Sequence, residues 1–196
     1  MSVTQGWTSD PSAALQRAEG LGQKAVVLDE RSAGAHALLG SIFLQRGEYD
    51  RALDQLTRAV ELNPSDPDSY AGLGGALLWT GDLNGAIKAL ETATQLQPAL
   101  SATDCFHLAT AYLLVGRTDD AIGTLERSLI RNKGNQFTNV LLAAAYAQAG
   151  RADDARRQAA TVHELFPFFN STDFGSLFRD PKDRDTVVAA LRKAGL

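Results

Sequence analysis

Apolar residues recur along this chain at three- and four-residue spacing, in stretches cut by glycine, proline or asparagine. That spacing is the period of an amphipathic helix, and the interruptions mark where each helix ends. The pattern predicts a first helix over residues 11–29, with Leu15, Ala18, Leu21 or Gly22, Ala25 and Leu28 on its apolar face. Asp10-Pro11 supplies a capping carboxylate and a first-turn proline. Gly20 and Gly22 each weaken this helix by up to roughly 1 kcal/mol relative to alanine. Two helices follow over residues 35–46 and 49–62, the first ended by Gly47 and the second by Asn63-Pro64. The next pair starts at Asp66-Pro67, turns at Gly81 and resumes over residues 83–96.

These pairs repeat. Leu39-Gly40, Ala52, Leu56, Ala59 and Pro64 return as Leu73-Gly74, Ala86, Leu90, Ala93 and Pro98, each 34 residues later. Counting back the same step from Ala52 and Ala59 reaches Ala18 and Ala25, so the first helix is the second half of a unit. A third unit needs one extra residue near positions 99–102, after which Cys105, Leu108, Ala109, Tyr112, Gly116, Ala121 and Leu125 fall in phase. Its closing proline is absent, and Asn132-Lys133-Gly134-Asn135 makes the turn. A fourth carries Leu142, Ala143, Tyr146, Gly150, Ala155, Ala159 and Pro167. The expected division is a flexible lead-in over 1–10, with Trp7 against the first helix, then a half unit over 11–32. Full units at 33–66, 67–101, 102–135 and 136–169 follow, and a tail over 170–196. The tail starts a last helix at Asp180-Pro181, ends it at Gly195, and serves as a lid because an array otherwise exposes its final stacking face.

A fixed period in this range belongs to repeat arrays. Leucine plus a small residue, then a lone alanine, then leucine, alanine and proline resembles the tetratricopeptide repeat (TPR). The tryptophan favoured early in the first helix of such a repeat is replaced here by His36, Tyr70, Cys105 and Asn139. The resemblance implies an all-α solenoid, a right-handed superhelix of antiparallel helix pairs with a C-terminal capping helix. Alanines 52, 86, 121 and 155, with Gly40, Gly74, Ala109 and Ala143, would let paired backbones approach closely. It also implies a concave groove lined by the first helix of each pair. Groove positions carried over are Ser41, Leu44, Gln45, Leu78, Trp79, Phe106, Thr110, Leu113, Phe137, Leu141 and Gln148. Trp79 and Phe106 are the expected anchors, since aromatic residues dominate binding hot spots. The lysine and asparagine positions of the carboxylate-gripping clamp found in some TPR proteins are filled by Ala37, Ser41, Ala71 and Gly75. The expected ligand is therefore an apolar helix or an extended segment.

The run from Leu142 through Tyr146, Gly150 and Asp153-Asp154, with Phe178-Arg179-Asp180-Pro181 and the Leu191 to Leu196 end, is similar to the C-terminal ends of bacterial class III adenylate/guanylate cyclases that carry TPR arrays, and of related transcriptional regulators. That similarity implies either a stand-alone relative or the regulatory, oligomerising C-terminal part of such a protein.

Composition narrows the function. Asp and Glu number 23 against 19 Lys and Arg, which argues against a surface built to neutralise phosphates, so no nucleic-acid partner is expected. A single cysteine, Cys105, permits no intrachain disulfide. No apolar run approaches the roughly 18 residues that span a bilayer, and residues 1–10 lack a hydrophobic signal core. A cytoplasmic chain without membrane insertion is the expectation.

Candidate chemistry is sparse. Asp119-Asp120 and Asp153-Asp154 sit where first-turn charge complements the helix dipole. His36, His107 and His163 lack ligand spacing, and Gly72-Leu73-Gly74-Gly75 lies inside a helix without a preceding strand. Cys105 reads as a buried, inert thiol. No metal, cofactor or catalytic residue is expected, and no set of acid, base and nucleophile converges. Phe166, Phe168, Phe169, Phe174 and Phe178 cluster near the end of the last unit, either joining the tail to it or forming a contact for self-association. The expected function is a non-enzymatic scaffold that binds a protein or peptide partner in its concave groove.

Overall fold

A computed structural model describes residues 11–196. The lead-in, Trp7 and the Asp10 cap lie outside the described residues. The chain forms helices α1 (Pro11–Leu28), α2 (Ala33–Gln45), α3 (Tyr49–Leu62), α4 (Pro67–Thr80), α5 (Leu83–Leu96), α6 (Ala102–Leu114), α7 (Thr118–Arg131), α8 (Gln136–Gln148), α9 (Ala152–Leu165), a short α10 (Ser171–Gly175) and α11 (Pro181–Ala194). Among the described residues there is no strand, and no helix is long and apolar enough to cross a membrane.

Four hairpins stack in order: α2 with α3, α4 with α5, α6 with α7 and α8 with α9. Each hairpin turn places a glycine at positive φ, as at Gly81 (φ 94°), where a side chain would strain the backbone. The first helices of successive hairpins also touch one another, whereas the second helices do not. Thus α2, α4, α6 and α8 form the inner layer, and α3, α5, α7 and α9 the outer one. Sequence explains the division. Helices α2 and α8 contain no Asp, Glu, Lys or Arg, whereas α3 and α7 alternate an apolar stripe with charges. A helix without charges can lie in an inner layer, whereas a striped one keeps its charged face in water.

The small residues stand where helices cross. Ala52, Ala86 and Ala121 have no exposed surface and Ala155 is 1% exposed. A Cβ built on Gly40 would overlap Leu56, and one on Gly74 would overlap Leu90 and lie 3.1 Å from the Ala86 carbonyl oxygen. Two of the residues standing in the tryptophan position of the repeat, Asn139 and His36, tie their hairpins to the preceding loop. Asn139 donates from Nδ2 to the carbonyls of Lys133 and Asn135, both at 2.8 Å, and its Oδ1 accepts from Gln158 at 2.7 Å. His36 makes the same link, to the Glu30 carbonyl (3.1 Å) and to Gln55 (2.8 Å). These buried polar groups are therefore satisfied. Cys105 is buried, and burial pushes its thiol up from the ordinary range.

The tail departs from the stacking rule. Of the helices that precede them, α4, α6 and α8 each pack chiefly on the outer one and less on the inner one. Helix α11 reverses this, packing chiefly on inner helix α8, with smaller contacts to α9 and α6. It covers the last hairpin from the concave side. Its buried face is Val187, Val188, Ala190, Leu191 and Ala194.

Candidate binding groove

A row of rings runs along the inner layer. Tyr49 stacks on Trp79 at 6.1 Å between centroids, and Trp79 meets His107 edge-on at 5.9 Å. Trp79 also meets Phe178 of the tail at 6.0 Å. Phe178 leads to Phe174, which packs on Phe106 (6.3 Å), Phe137 (6.2 Å) and Phe169 (6.0 Å). Trp79 is thus the junction between the open part of the concave face and the part the tail fills.

Two cavities flank that junction. One, of 480 Å³, lies over α2 and α4 and is lined by Ser41, Leu44, Gln45, Tyr49, Gly72, Trp79 and His107, with Asp68 and Asp104 among its other walls. The other, of 510 Å³, lies between Leu78, Trp79 and Leu114 and the tail residues Phe178 to Pro181. A smaller one of 190 Å³ is bounded by Trp79, Phe106, His107, Phe137 and Leu177.

The expected groove residues therefore divide. Ser41, Leu44, Gln45 and Trp79 line the open cavity, and Leu78, Phe106 and Phe137 border the cavities beside the tail. Thr110, Leu113 and Leu141 have no exposed surface at all. These three are corrected from groove wall to core, because α8 packs beside α6 and the tail closes over both. Gln148 is partly buried and donates to the Leu113 carbonyl at 3.1 Å, so it ties α8 to α6. Sequence spacing missed Tyr49 and His107 as cavity residues, since Tyr49 sits on the outer-layer helix α3 and His107 one place from Phe106. The acidic pairs face elsewhere: Asp120 binds Arg117 and Asp154 binds Arg151, both at 2.7 Å, in the hairpin turns. Arg151 holds the Asp154 carboxyl below its ordinary range.

His107 carries a measurable signature. Its Nδ1 is buried with no hydrogen-bond partner, 3.1 Å from where a Cβ on Gly75 would stand. Burial lowers its pKa, and Asp104 opposes that shift. The unfolded chain, with an ordinary imidazole near pH 6.5, then binds the proton before the folded chain does. Its contribution to stability is complete above about pH 6.5 and is lost as the pH falls through the lower folded value. The unfolding free energy from urea denaturation should fall more between pH 7.5 and 5.5 for the wild type than for His107→Gln, by up to about 1.4 kcal/mol per pH unit below 6.5. Equal falls in both proteins would contradict this placement of His107.

The fold is that of a tetratricopeptide-repeat solenoid. Two family models, both described as tetratricopeptide repeat, match residues 43–102 and 105–136. Among solved structures, the chain is similar to YrrB, described as a TPR protein with an unusual peptide-binding site, at 22% identity and a TM-score of 0.70. That match covers 90% of this chain and 92% of YrrB. It is also similar to MamA (23% identity, TM-score 0.69, covering 79% of this chain and 90% of MamA). A thermophilic TPR protein of Thermus thermophilus matches at 23% identity and a TM-score of 0.60, covering 92% of each chain. No curated protein sequence matches. At these identities the likeness establishes the fold. The expected resemblance to cyclase-borne arrays is not shown by these matches, which describe the repeats alone.

Proposed function

We propose that this chain is a non-enzymatic interaction scaffold that takes an extended or helical segment of a partner protein in the open, N-terminal half of its concave face. The observation that carries this reading is the 480 Å³ cavity beside Trp79, walled by Leu44, Tyr49 and Gly72. Partly buried aromatic rings beside open space are the usual anchors of peptide recognition. The likeness to YrrB, whose description includes a peptide-binding site, supports it. A cytoplasmic setting goes with this reading, as Cys105 is a lone buried thiol.

Selection from a random peptide library on the immobilised chain provides the test. Selected peptides should bind Trp79→Ala/Leu44→Asp at least about tenfold more weakly, as loss of an interface hot spot of about 2 kcal/mol or more implies. Amide NMR shifts on binding should centre on Ser41, Leu44, Gln45 and Trp79. Peptides that bind wild type and variant alike would refute the groove.

A further inference from the structure

We propose that residues 170–196 are a displaceable internal ligand of the concave face, and that the face they cover recognises segments of the same chemistry. That chemistry is two aromatic residues four apart followed by an amphipathic helix. The inference extends the groove reading to the half of the face that the open cavity leaves out, and it rests on that reading.

Four observations converge on it. First, α11 does not occupy the place of a next stacked helix, which among the helices before it favours the outer one; it lies chiefly on inner helix α8, with smaller contacts to α9 and α6, on the side where a TPR groove would receive a guest. Second, the tail caps both of its helices with its own residues. Asn170 caps α10 by accepting from Thr172 (2.8 Å) and Asp173 (3.2 Å). Asp180 caps α11 by accepting from Lys182 (2.8 Å), and Gly195 closes it in the left-handed conformation. Third, its hold on the repeats is apolar. Among the described residues the one polar contact between them is His163 Nε2 to the Gly195 carbonyl, at 3.2 Å. Phe174 and Phe178 are buried to 7% and 4% exposure against Phe106, Phe137 and Trp79. Fourth, Phe178 reaches the same Trp79 ring that walls the open cavity. A guest that takes Trp79 for itself removes one of the tail's two aromatic anchors.

A site already occupied by a tethered ligand binds a free one more weakly, by the fraction of molecules in which it is vacant. The test titrates a fluorescent peptide of residues 170–196 onto the full chain. The wild type should bind it poorly, and the full-length Phe174→Ala/Phe178→Ala chain, whose own tail is loosened, about tenfold more tightly or better. The same peptide with both phenylalanines replaced by alanine should bind neither. Equal affinity for the two chains, or no binding to either, overturns the proposal. Hydrogen exchange on the unaltered chain reads the same device without a variant. Amides of α11 should exchange through a local opening that leaves α6 and α8 protected; loss of protection in all three together overturns it. The probe is the chain's own peptide, so the two readings fail separately. Open-cavity peptides that still bind while this probe does not remove the internal ligand alone, and the converse removes the partner reading alone.

Discussion

Leu90→Ala is expected to lower the unfolding free energy by about 2–5 kcal/mol, the range for emptying a well-packed core site. Leu90 has no exposed surface and belongs to the large continuous core that runs from α4 to α11. It projects from α5 onto Gly74 of α4, so the space it leaves is walled by two backbones that cannot collapse freely. In a solenoid each hairpin is held mainly by its neighbours, so a hole here also weakens the α5–α6 seam. Urea denaturation followed by far-ultraviolet circular dichroism measures the loss. Leu96→Ala is the matched control: Leu96 ends the same helix and is 42% exposed, so its cost should stay within about 0.5 kcal/mol. Similar costs for the two would mean that the hairpins do not pack as described.

The second large effect is a coupling. Gly74→Ala alone should destabilise the chain by about 1–3 kcal/mol, because the new methyl overlaps Leu90 and crowds the Ala86 carbonyl. In the Leu90→Ala background the same methyl enters the vacated space. The double variant should therefore cost less than the sum of the singles, by about 0.5–3 kcal/mol. The third and fourth repeats already hold a methyl at the corresponding site: Ala109 and Ala143 are fully buried there. The helices of those repeats have settled to accept it. Strict additivity in the cycle would show that Gly74 and Leu90 do not share one crossing point.

The crossing points were legible because they obey the repeat. Ala52, Ala86, Ala121 and Ala155 return at a near-fixed step, and helix ends are marked by glycine at the hairpin turns and by Asp66-Pro67 and Asp180-Pro181 between units. The tail was not legible in the same way. The apolar spacing of Val187, Val188 and Leu191 specifies a buried face without saying which surface buries it. An inner-layer position reads alike whether the groove above it is open or filled. Thr110, Leu113 and Leu141 therefore carried a groove signature while lying in the core. His36 and Asn139 carried no signal beyond the absence of tryptophan, although each joins a loop carbonyl to a glutamine on the following helix. Trp79 stood out by type alone. Its place at the meeting of Tyr49, His107 and Phe178 depends on residues far apart in the chain, and only the folded chain brings them together.

A nuclear Overhauser experiment on the full chain in a Trp7→Phe background, which leaves Trp79 as the sole indole, reads that meeting point. With ring centroids 6.0 Å apart, cross-peaks between the Trp79 and Phe178 ring protons are the expected result. A spectrum in which the Trp79 ring shows contacts to Tyr49 and His107 but none to Phe178 would mean that the tail does not lie in the groove, and that the concave face is undivided.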